Sequence, residues 1–187
     1  MRAVPAVKRI VVALPPEEVE AAILPTGVVA VAGGAARSES VRLALGAAGP
    51  GDAVIVHDAA RPLADTALFA RALDELHASG ADAAIAAAPV SDTIKEVGSD
   101  GRTVTRTLER SRLWAVQTPQ VFRRPALERA LGQASDELLA AATDDAWLVE
   151  RTGGTVRIVP STPENLKVTT LNDLHVAELL LSERESA

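Results

Sequence analysis

The chain has 187 residues, no cysteine and a formal net charge of −6 at pH 7. That length suits one domain with a hydrophobic core, and the lack of cysteine excludes disulfides, zinc thiolates and a cysteine nucleophile. The acidic balance without a basic stripe argues against nucleic-acid binding, and the lack of a membrane-length apolar run or a signal-like segment predicts a cytoplasmic protein that does not bind membranes.

Strand and helix patterns alternate through the first half of the chain. Short apolar runs predict strands at residues 9–14, 28–31, 53–56 and 83–87. Helices are predicted from Pro15, from Ser38 or Ser40 to about Ala47, and from Asp65 to Gly80. This alternation predicts an α/β fold with right-handed crossovers and a Rossmann-like, mostly parallel sheet.

The pattern changes between residues 90 and 120. Short strands are predicted at 92–97, 103–108 and 113–116, which indicates an antiparallel β-arm inserted into a single domain that spans residues 1–187. A small projecting hairpin is only marginally stable alone, so the arm is expected to pack on its own domain or on a partner subunit.

The remaining residues again predict an α/β pattern. Helices are predicted from Arg124 to the Gly153-Gly154 pair, followed by a strand at 155–159. A last helix at 171–183 is expected to begin at Thr170 or Asn172. Its apolar residues are Leu174, Leu179 and Leu181.

The segment Val54–Pro62 carries the clearest chemical pattern. A buried strand ends there in Asp58, two small residues and Arg61, at the sheet edge where open α/β proteins bind ligands. Asp58 could hold a hard metal ion, and Arg61 could bind an anion. The alternative is an ordinary strand-to-helix turn in which the aspartate caps the helix.

Other polar residues follow the predicted strands or lie in the arm. Gly33-Gly34 could bind phosphate or form an ordinary turn. Ser40 and Thr143-Asp144-Asp145 could bind a ligand or cap a helix. The polar side chains of the arm and of Lys167 can donate hydrogen bonds, so they could bind phosphate or simply lie in solvent. The three histidines are scattered and form no metal-ligand or catalytic-triad spacing.

Five stretches occur in order through nearly the whole chain, and together they resemble the 2-C-methyl-D-erythritol 4-phosphate cytidylyltransferase family. They are VHDAARP at 56–62, PVSDTIK at 89–95, LER…LWAVQTPQVF at 108–122, TDDA at 143–146 and PENLKVTTLNDLHVAE at 163–178. The resemblance implies that a substrate phosphate attacks the α-phosphorus of CTP and that pyrophosphate leaves. It places the enzyme in non-mevalonate isoprenoid biosynthesis and implies a homodimer whose arms interlock.

The resemblance also implies roles for individual residues. Asp58 would hold Mg²⁺, while Arg110 and Lys167 would position the acceptor phosphate. Apart from the resemblance, Glu164 is a candidate second acid near the site. The nucleotide would lie near Gly34, Ser40, Asp58 and Ala59. The acceptor would be surrounded by Arg61, Thr93, Arg110, Thr118 and Thr143.

The chain departs from the family at its start. Family members open with a strand and a glycine-rich loop, carrying an arginine and then a lysine, that cradles the CTP phosphates. Met1 to Pro5 resembles the segment before the family's second strand, so about forty residues are expected to be missing, judged from a typical βα unit. Because a first strand is usually central, we expect a gap in the strand ladder and poor catalysis by this chain, and we interpret it as N-terminally truncated by a mis-assigned start or as a fragment.

Two other functions compete with this hypothesis. A related cytidylyltransferase could use a pentitol phosphate such as ribitol 5-phosphate as acceptor. Alternatively, the chain is a non-catalytic remnant that only dimerises, which predicts a folded protein that does not bind CTP.

Overall fold

The computed structural model describes Met1 and residues 3–186, which form a mixed α/β fold. The strands are β1 (Ile10–Leu14), β2 (Val28–Ala32), β3 (Ala53–Val56), β4 (Ala83–Pro89), β5 (Lys95–Val97), β6 (Val104–Thr107), β7 (Trp114–Arg123) and β8 (Val156–Pro160). The helices are α1 (Arg37–Ala47), α2 (Thr66–Ser79), α3 (Arg124–Gln133), α4 (Asp136–Ala141), α5 (Asp145–Arg151) and α6 (Leu171–Ser186).

The main sheet has four strands in the order β3-β7-β4-β8. β7 runs antiparallel to both of its neighbours, while β4 and β8 are parallel. β3, β4 and β8 therefore point the same way, and their carboxyl ends meet at one edge of the sheet. That edge is where the functional side chains gather.

The long strand β7 corrects the predicted extent of the arm. Residues 113–116 were expected to form a third arm strand, but Trp114 pairs with Pro89 and the strand continues to Arg123 inside the main sheet. Residues 117–122 of this strand are buried. Residues 120–122 pair with both neighbouring strands, whereas 117–119 lie at a register shift between Ile85 and Ala87, where the Thr118 carbonyl oxygen accepts from Asn165 Nδ2.

The arm that remains is a two-stranded antiparallel hairpin. β5 pairs only with β6 among the described residues, and every residue of both strands is exposed. Its strands are shorter than predicted, but the separate antiparallel pair itself is confirmed. Val97 and Val104 are 45% and 52% exposed, so the hairpin has apolar surface that its own chain does not cover.

The first two strands form a sheet of their own. β1 and β2 pair in parallel, and neither is hydrogen-bonded to β3 within the described residues. The predicted helix from Pro15 is only a short 3₁₀ turn at Pro16–Glu18. Helix α1 packs on β1 and β2 and also contributes Leu45 to the core of the main sheet, so it connects the two sheets.

The helix caps confirm some predictions and correct others. Asp65 caps α2 by accepting a hydrogen bond from the Leu68 amide at 2.6 Å, and Gly80 ends that helix with a positive φ of 69°. The prediction that Ser38 or Ser40 caps α1 is wrong. Ala36 occupies the cap position without a side-chain hydrogen bond, because the chain enters the helix from a tight glycine loop.

Helix α6 begins at a reciprocal cap and leaves much of its apolar surface exposed. The Thr170 hydroxyl accepts from the Asp173 amide, which confirms Thr170 as the cap. Its apolar residues Leu174, Leu179 and Leu181 are 41%, 59% and 39% exposed, whereas Ala177 is buried. No helix in the described part of the chain is both long and apolar enough to cross a lipid bilayer.

Asp173 should make this helix sensitive to acid. Hydrogen bonds from Thr169 and Thr170 lower its pKa to about 2. The carboxylate therefore contributes stability that is present above its unfolded pKa near 4 and is lost as pH falls towards about 2. We expect Asp173→Asn to lower the thermal unfolding midpoint at neutral pH, and the difference from wild type to shrink below about pH 4. Glu178→Gln on the same helix is the control and should not show this trend.

Candidate functional site

A cleft of about 430 Å³ opens at the carboxyl edge of the main sheet. It is bounded by the end of β3, the first half of β7, the start of α5 and the loop after β8. The lining residues are Arg37, Asp58, Arg61, Ile85, Val116, Gln117, Thr118, Gln120, Thr143, Asp144, Trp147, Glu150 and Lys167.

Asp58 is the charged centre of the cleft. Its Oδ1 lies 3.1 Å from Arg37 Nη2 and its Oδ2 lies 3.1 Å from Lys167 Nζ, with only 15% of the side chain exposed. Burial alone would raise the pKa of Asp58, but the two cations outweigh burial and lower it. The carboxylate is therefore ionised at neutral pH and is held at both oxygens.

A hydrogen-bonded chain beneath the cleft fixes the turn that carries Asp58. The Asp58 amide donates to Thr118 Oγ1 at 3.0 Å, and Thr118 Oγ1 lies 2.9 Å from His57 Nδ1. His57 Nε2 lies 3.2 Å from the Arg61 carbonyl oxygen, so we assign the proton to Nε2. Burial lowers the pKa of His57, which keeps the ring neutral in this role. Thr118, 3% exposed, therefore orders the turn in this structure.

Arg61 and Asn165 connect this turn to the loop after β8. Arg61 Nη1 donates to the Asn165 carbonyl oxygen at 2.7 Å. Asn165 Nδ2 donates to Gln117 Oε1 and to the Thr118 carbonyl oxygen, both at 2.9 Å. Lys167 lies two residues beyond Asn165, so these bonds fix the backbone from which Lys167 reaches Asp58.

Arg37 and Asp145 join the cleft from two different helices. Arg37 Nη1 donates to Asp145 Oδ2 at 2.5 Å, while Arg37 Nε donates to Asp58 Oδ1 at 3.1 Å. Asp145 is fully buried, and burial raises its pKa against the opposing effect of Arg37. Sequence reasoning assigned no site role to Arg37 and considered Asp145 only as part of a helix start or a ligand group.

Asp144 performs the capping that was predicted for the Thr143–Asp145 stretch. Its Oδ1 accepts from the Trp147 amide at 2.8 Å, and its Oδ2 accepts from Gln120 Nε2 at 2.8 Å. Thr143 is exposed at the rim of the cleft, beside Trp147 and Glu150. The start of α5 therefore forms one wall of the cleft.

The comparisons with known proteins agree with this geometry. The family model described as IspD, 2-C-methyl-D-erythritol 4-phosphate cytidylyltransferase, matches residues 1–183. The chain belongs to this family. It is therefore an enzyme of the nucleotidyltransferase class.

Individual relatives of the IspD family support the same conclusion. A 2-C-methyl-D-erythritol 4-phosphate cytidylyltransferase from Rhodococcus jostii is 48% identical over 95% of this chain and 77% of its own length. The crystal structure of the Thermus thermophilus enzyme superimposes with a TM-score of 0.77 at 36% identity, covering 92% of this chain and 81% of the other. A 4-diphosphocytidyl-2C-methyl-D-erythritol synthase from Anaerococcus prevotii gives a TM-score of 0.82 at 26% identity, with coverage of 93% and 81%.

Of the ten residues to which the family resemblance assigned a role, five line the cleft and five do not. The five that line it are Asp58, Arg61, Thr118, Thr143 and Lys167. Gly34 lies in the loop before α1 and Ser40 in the first turns of α1, where the Gly34 amide donates to Ser40 Oγ at 3.0 Å and Ser40 Oγ donates to the Ala36 carbonyl oxygen at 3.1 Å. A Cβ on Gly34 would lie 2.3 Å from Glu39 Cγ, so a larger residue there would displace the Glu39 side chain. Ala59 is exposed in the turn after Asp58.

The remaining two of these ten residues, Thr93 and Arg110, lie at the base of the arm. Thr93 is exposed in the loop before β5, outside the strand in which it was predicted. Arg110 is exposed in a short 3₁₀ turn, where its Nη1 donates to the Ser91 carbonyl oxygen at 2.6 Å. Neither residue lines the cleft of its own chain.

Proposed function

We propose that this cleft transfers the cytidylyl group of CTP to 2-C-methyl-D-erythritol 4-phosphate. The observation that carries the proposal is the group of three cations, Arg37, Arg61 and Lys167, around Asp58 at the carboxyl edge of the sheet. Such a group can bind phosphate oxygens and neutralise the charge that develops during phosphoryl-type transfer.

The reaction requires positioning more than acid–base chemistry. An oxygen of the acceptor phosphate attacks the α-phosphorus of CTP and forms a new P–O bond. The bond between the α-phosphorus and the bridging oxygen breaks, and pyrophosphate leaves with that electron pair. In this proposal Lys167 and Arg61 stabilise the crowded negative charge, and Thr143 donates its hydroxyl to the acceptor.

The donor set suits a magnesium ion that is bound mainly through the nucleotide. No cluster of three or more acidic, histidine or cysteine side chains that could hold a metal occurs within the described part of the chain. Mg²⁺ in nucleotide-dependent enzymes commonly uses one or two carboxylates together with phosphate oxygens and water. Asp58 would supply that carboxylate, and Glu164, exposed in the loop after β8, remains a candidate second acid. When bound, the ion would neutralise phosphate charge.

The nucleotide would extend from Asp58 towards the loop before α1. Gly34, Ser40 and Ala59 are proposed to surround the cytidine part, because Gly34 and Ser40 are hydrogen-bonded to each other beside Arg37 and Ala59 directly follows Asp58. Since CTP is a cytoplasmic metabolite, we also infer a cytoplasmic location.

The separation of the arm residues from the cleft supports a homodimer. Thr93 and Arg110 are proposed to contact the acceptor in the partner subunit's cleft, because they are exposed and lie outside the cleft of their own chain. Docking would also cover the apolar residues of the hairpin, Val97 and Val104.

Pyrophosphate release tests the proposed function. The assay would contain the chain, CTP and Mg²⁺, with 2-C-methyl-D-erythritol 4-phosphate, erythritol 4-phosphate or ribitol 5-phosphate as acceptor. We expect turnover to be fastest with the branched acceptor. Faster turnover with ribitol 5-phosphate would favour the alternative acceptor. No turnover together with no CTP-dependent rise in the unfolding midpoint would favour the non-catalytic alternative.

A further inference from the structure

We propose that Arg37 and Asp145 form a positioning pair that holds the Asp58 carboxylate in its working orientation. This role rests on the proposed function, because Asp58 has to face the phosphates and their counter-ion. The Arg37 guanidinium is in contact with both acids, and these three side chains come from α1, α5 and the end of β3.

The geometry of the guanidinium makes the two contacts dependent on each other. Nη1 lies 2.5 Å from Asp145 Oδ2, while Nε and Nη2 both lie 3.1 Å from Asp58 Oδ1. A guanidinium is planar and its donors have fixed directions. Fixing Nη1 on the buried acid therefore also fixes the edge that faces Asp58.

The burial of Asp145 indicates that it does more than begin a helix. Its neighbour Asp144 already caps α5, so Asp145 is not needed for that purpose. Asp145 is fully buried beside the buried residues Ala146, Leu148 and Val149, and Arg37 is its cationic partner. A buried carboxylate is costly unless it is paired. The pairing with Arg37 explains why an aspartate is tolerated there.

The charges of the four ion-paired side chains also balance, with Arg61 as a further cation in the cleft. Arg37 and Lys167 contribute two positive charges, and Asp58 and Asp145 contribute two negative charges. Without Asp145, two cations would face the single Asp58 carboxylate and would weaken its attraction for a metal ion. With Asp145, Arg37 can orient Asp58 while its charge is largely neutralised by the buried acid.

Steady-state kinetics test the positioning role. We expect Asp145→Asn and Arg37→Lys each to lower kcat about 100-fold, because small misplacements of reacting groups have effects of this size, while KM for CTP changes by less than about threefold. Arg42→Lys is the matched control, since Arg42 is on the same helix but pairs with Glu39 at 3.5 Å outside the cleft. A purely structural pair would lower the unfolding midpoint without this split between kcat and KM, and would overturn the proposal.

A second measurement does not depend on turnover. Arginine-selective ¹⁵N NMR should show a Nε–H of Arg37 that exchanges slowly in the wild type and rapidly in Asp145→Asn, with assignment from Arg37→Lys. The ¹³C carboxyl resonance of Asp58 should shift in Asp145→Asn. An unchanged Asp58 resonance overturns the proposal even if the wild-type chain is active. If the wild type releases no pyrophosphate and CTP does not raise its unfolding midpoint, the proposed function fails, whereas these resonances still decide whether the pair orients Asp58.

Discussion

Replacing Asp58 by asparagine is expected to lower turnover about a thousandfold, the upper range for losing a preorganised electrostatic group in an active site. The amide keeps the size of the side chain but removes the charge between Arg37 and Lys167. It also removes the proposed magnesium ligand. The measurement is the rate of pyrophosphate release at saturating CTP and acceptor, with the unfolding midpoint measured in parallel.

Asp58→Asn should also change how CTP binding depends on Mg²⁺. With Asp58 neutral, Lys167 loses its ion-pair partner and Arg37 keeps only Asp145, so CTP should bind at least as tightly without Mg²⁺ as it does to the wild type. Asp74→Asn, an exposed change on α2, is the control and should leave both quantities unchanged. A kcat within about threefold of the wild type would contradict the central role of Asp58.

Mixing two inactive variants is expected to restore activity if the arm acts across the dimer. Arg110→Ala and Lys167→Ala should each lower turnover by at least about 100-fold as homodimers. In a mixed dimer, the Arg110→Ala chain keeps its own Lys167 and receives Arg110 from the partner, so one cleft is complete. Random pairing then gives about a quarter of wild-type activity.

The outcome distinguishes the two possible arrangements of Arg110. If Arg110 served the cleft of its own chain, no mixed dimer would contain a complete site and mixing would restore nothing. Arg106→Ala is the control on the arm, because Arg106 pairs only with Glu96 on the neighbouring strand and should leave activity unchanged. Light scattering of the wild type has to show a dimer for the experiment to support the proposal.

The strands of the fold were largely predictable, and β7 shows where prediction failed. Ala53–Val56 is a short apolar strand, and its periodicity alone identifies it. The segment Gln117–Gln120 is polar and contains a proline, so it resembles a turn, yet it is 6% exposed or less at Gln117, Thr118 and Gln120. Its side chains hydrogen-bond to Asn165, Asp58 and Asp144, which come from distant parts of the chain. Local sequence does not contain that information.

In the candidate site, too, some residues were predictable from the sequence and others were not. Asp58, Arg61 and Lys167 were predictable because they follow strands whose carboxyl ends meet at one edge. Arg37 was missed because an arginine at the first turn of a helix is usually solvated. Its signal was its position directly after the Gly33-Gly34 loop, at the same sheet edge. The burial of Asp145 depends on how α5 packs against α3 and the sheet, which no local pattern indicates.

The separation between the β1–β2 pair and the main sheet has a consequence for ligand binding. No backbone hydrogen bonds join β1 to β3 within the described residues. The two sheets are linked by packing on α1, by Val4 and Val7 before β1, which pack with the core of the main sheet, and by the ion pairs of Arg37. Packed layers can shear by small amounts more easily than hydrogen-bonded strands can. The glycine loop and Asp58 stand on opposite sides of this joint, so a nucleotide that contacts both would act as a clamp. Amide hydrogen exchange along α1 should therefore slow when CTP binds, and by more than the exchange along α2.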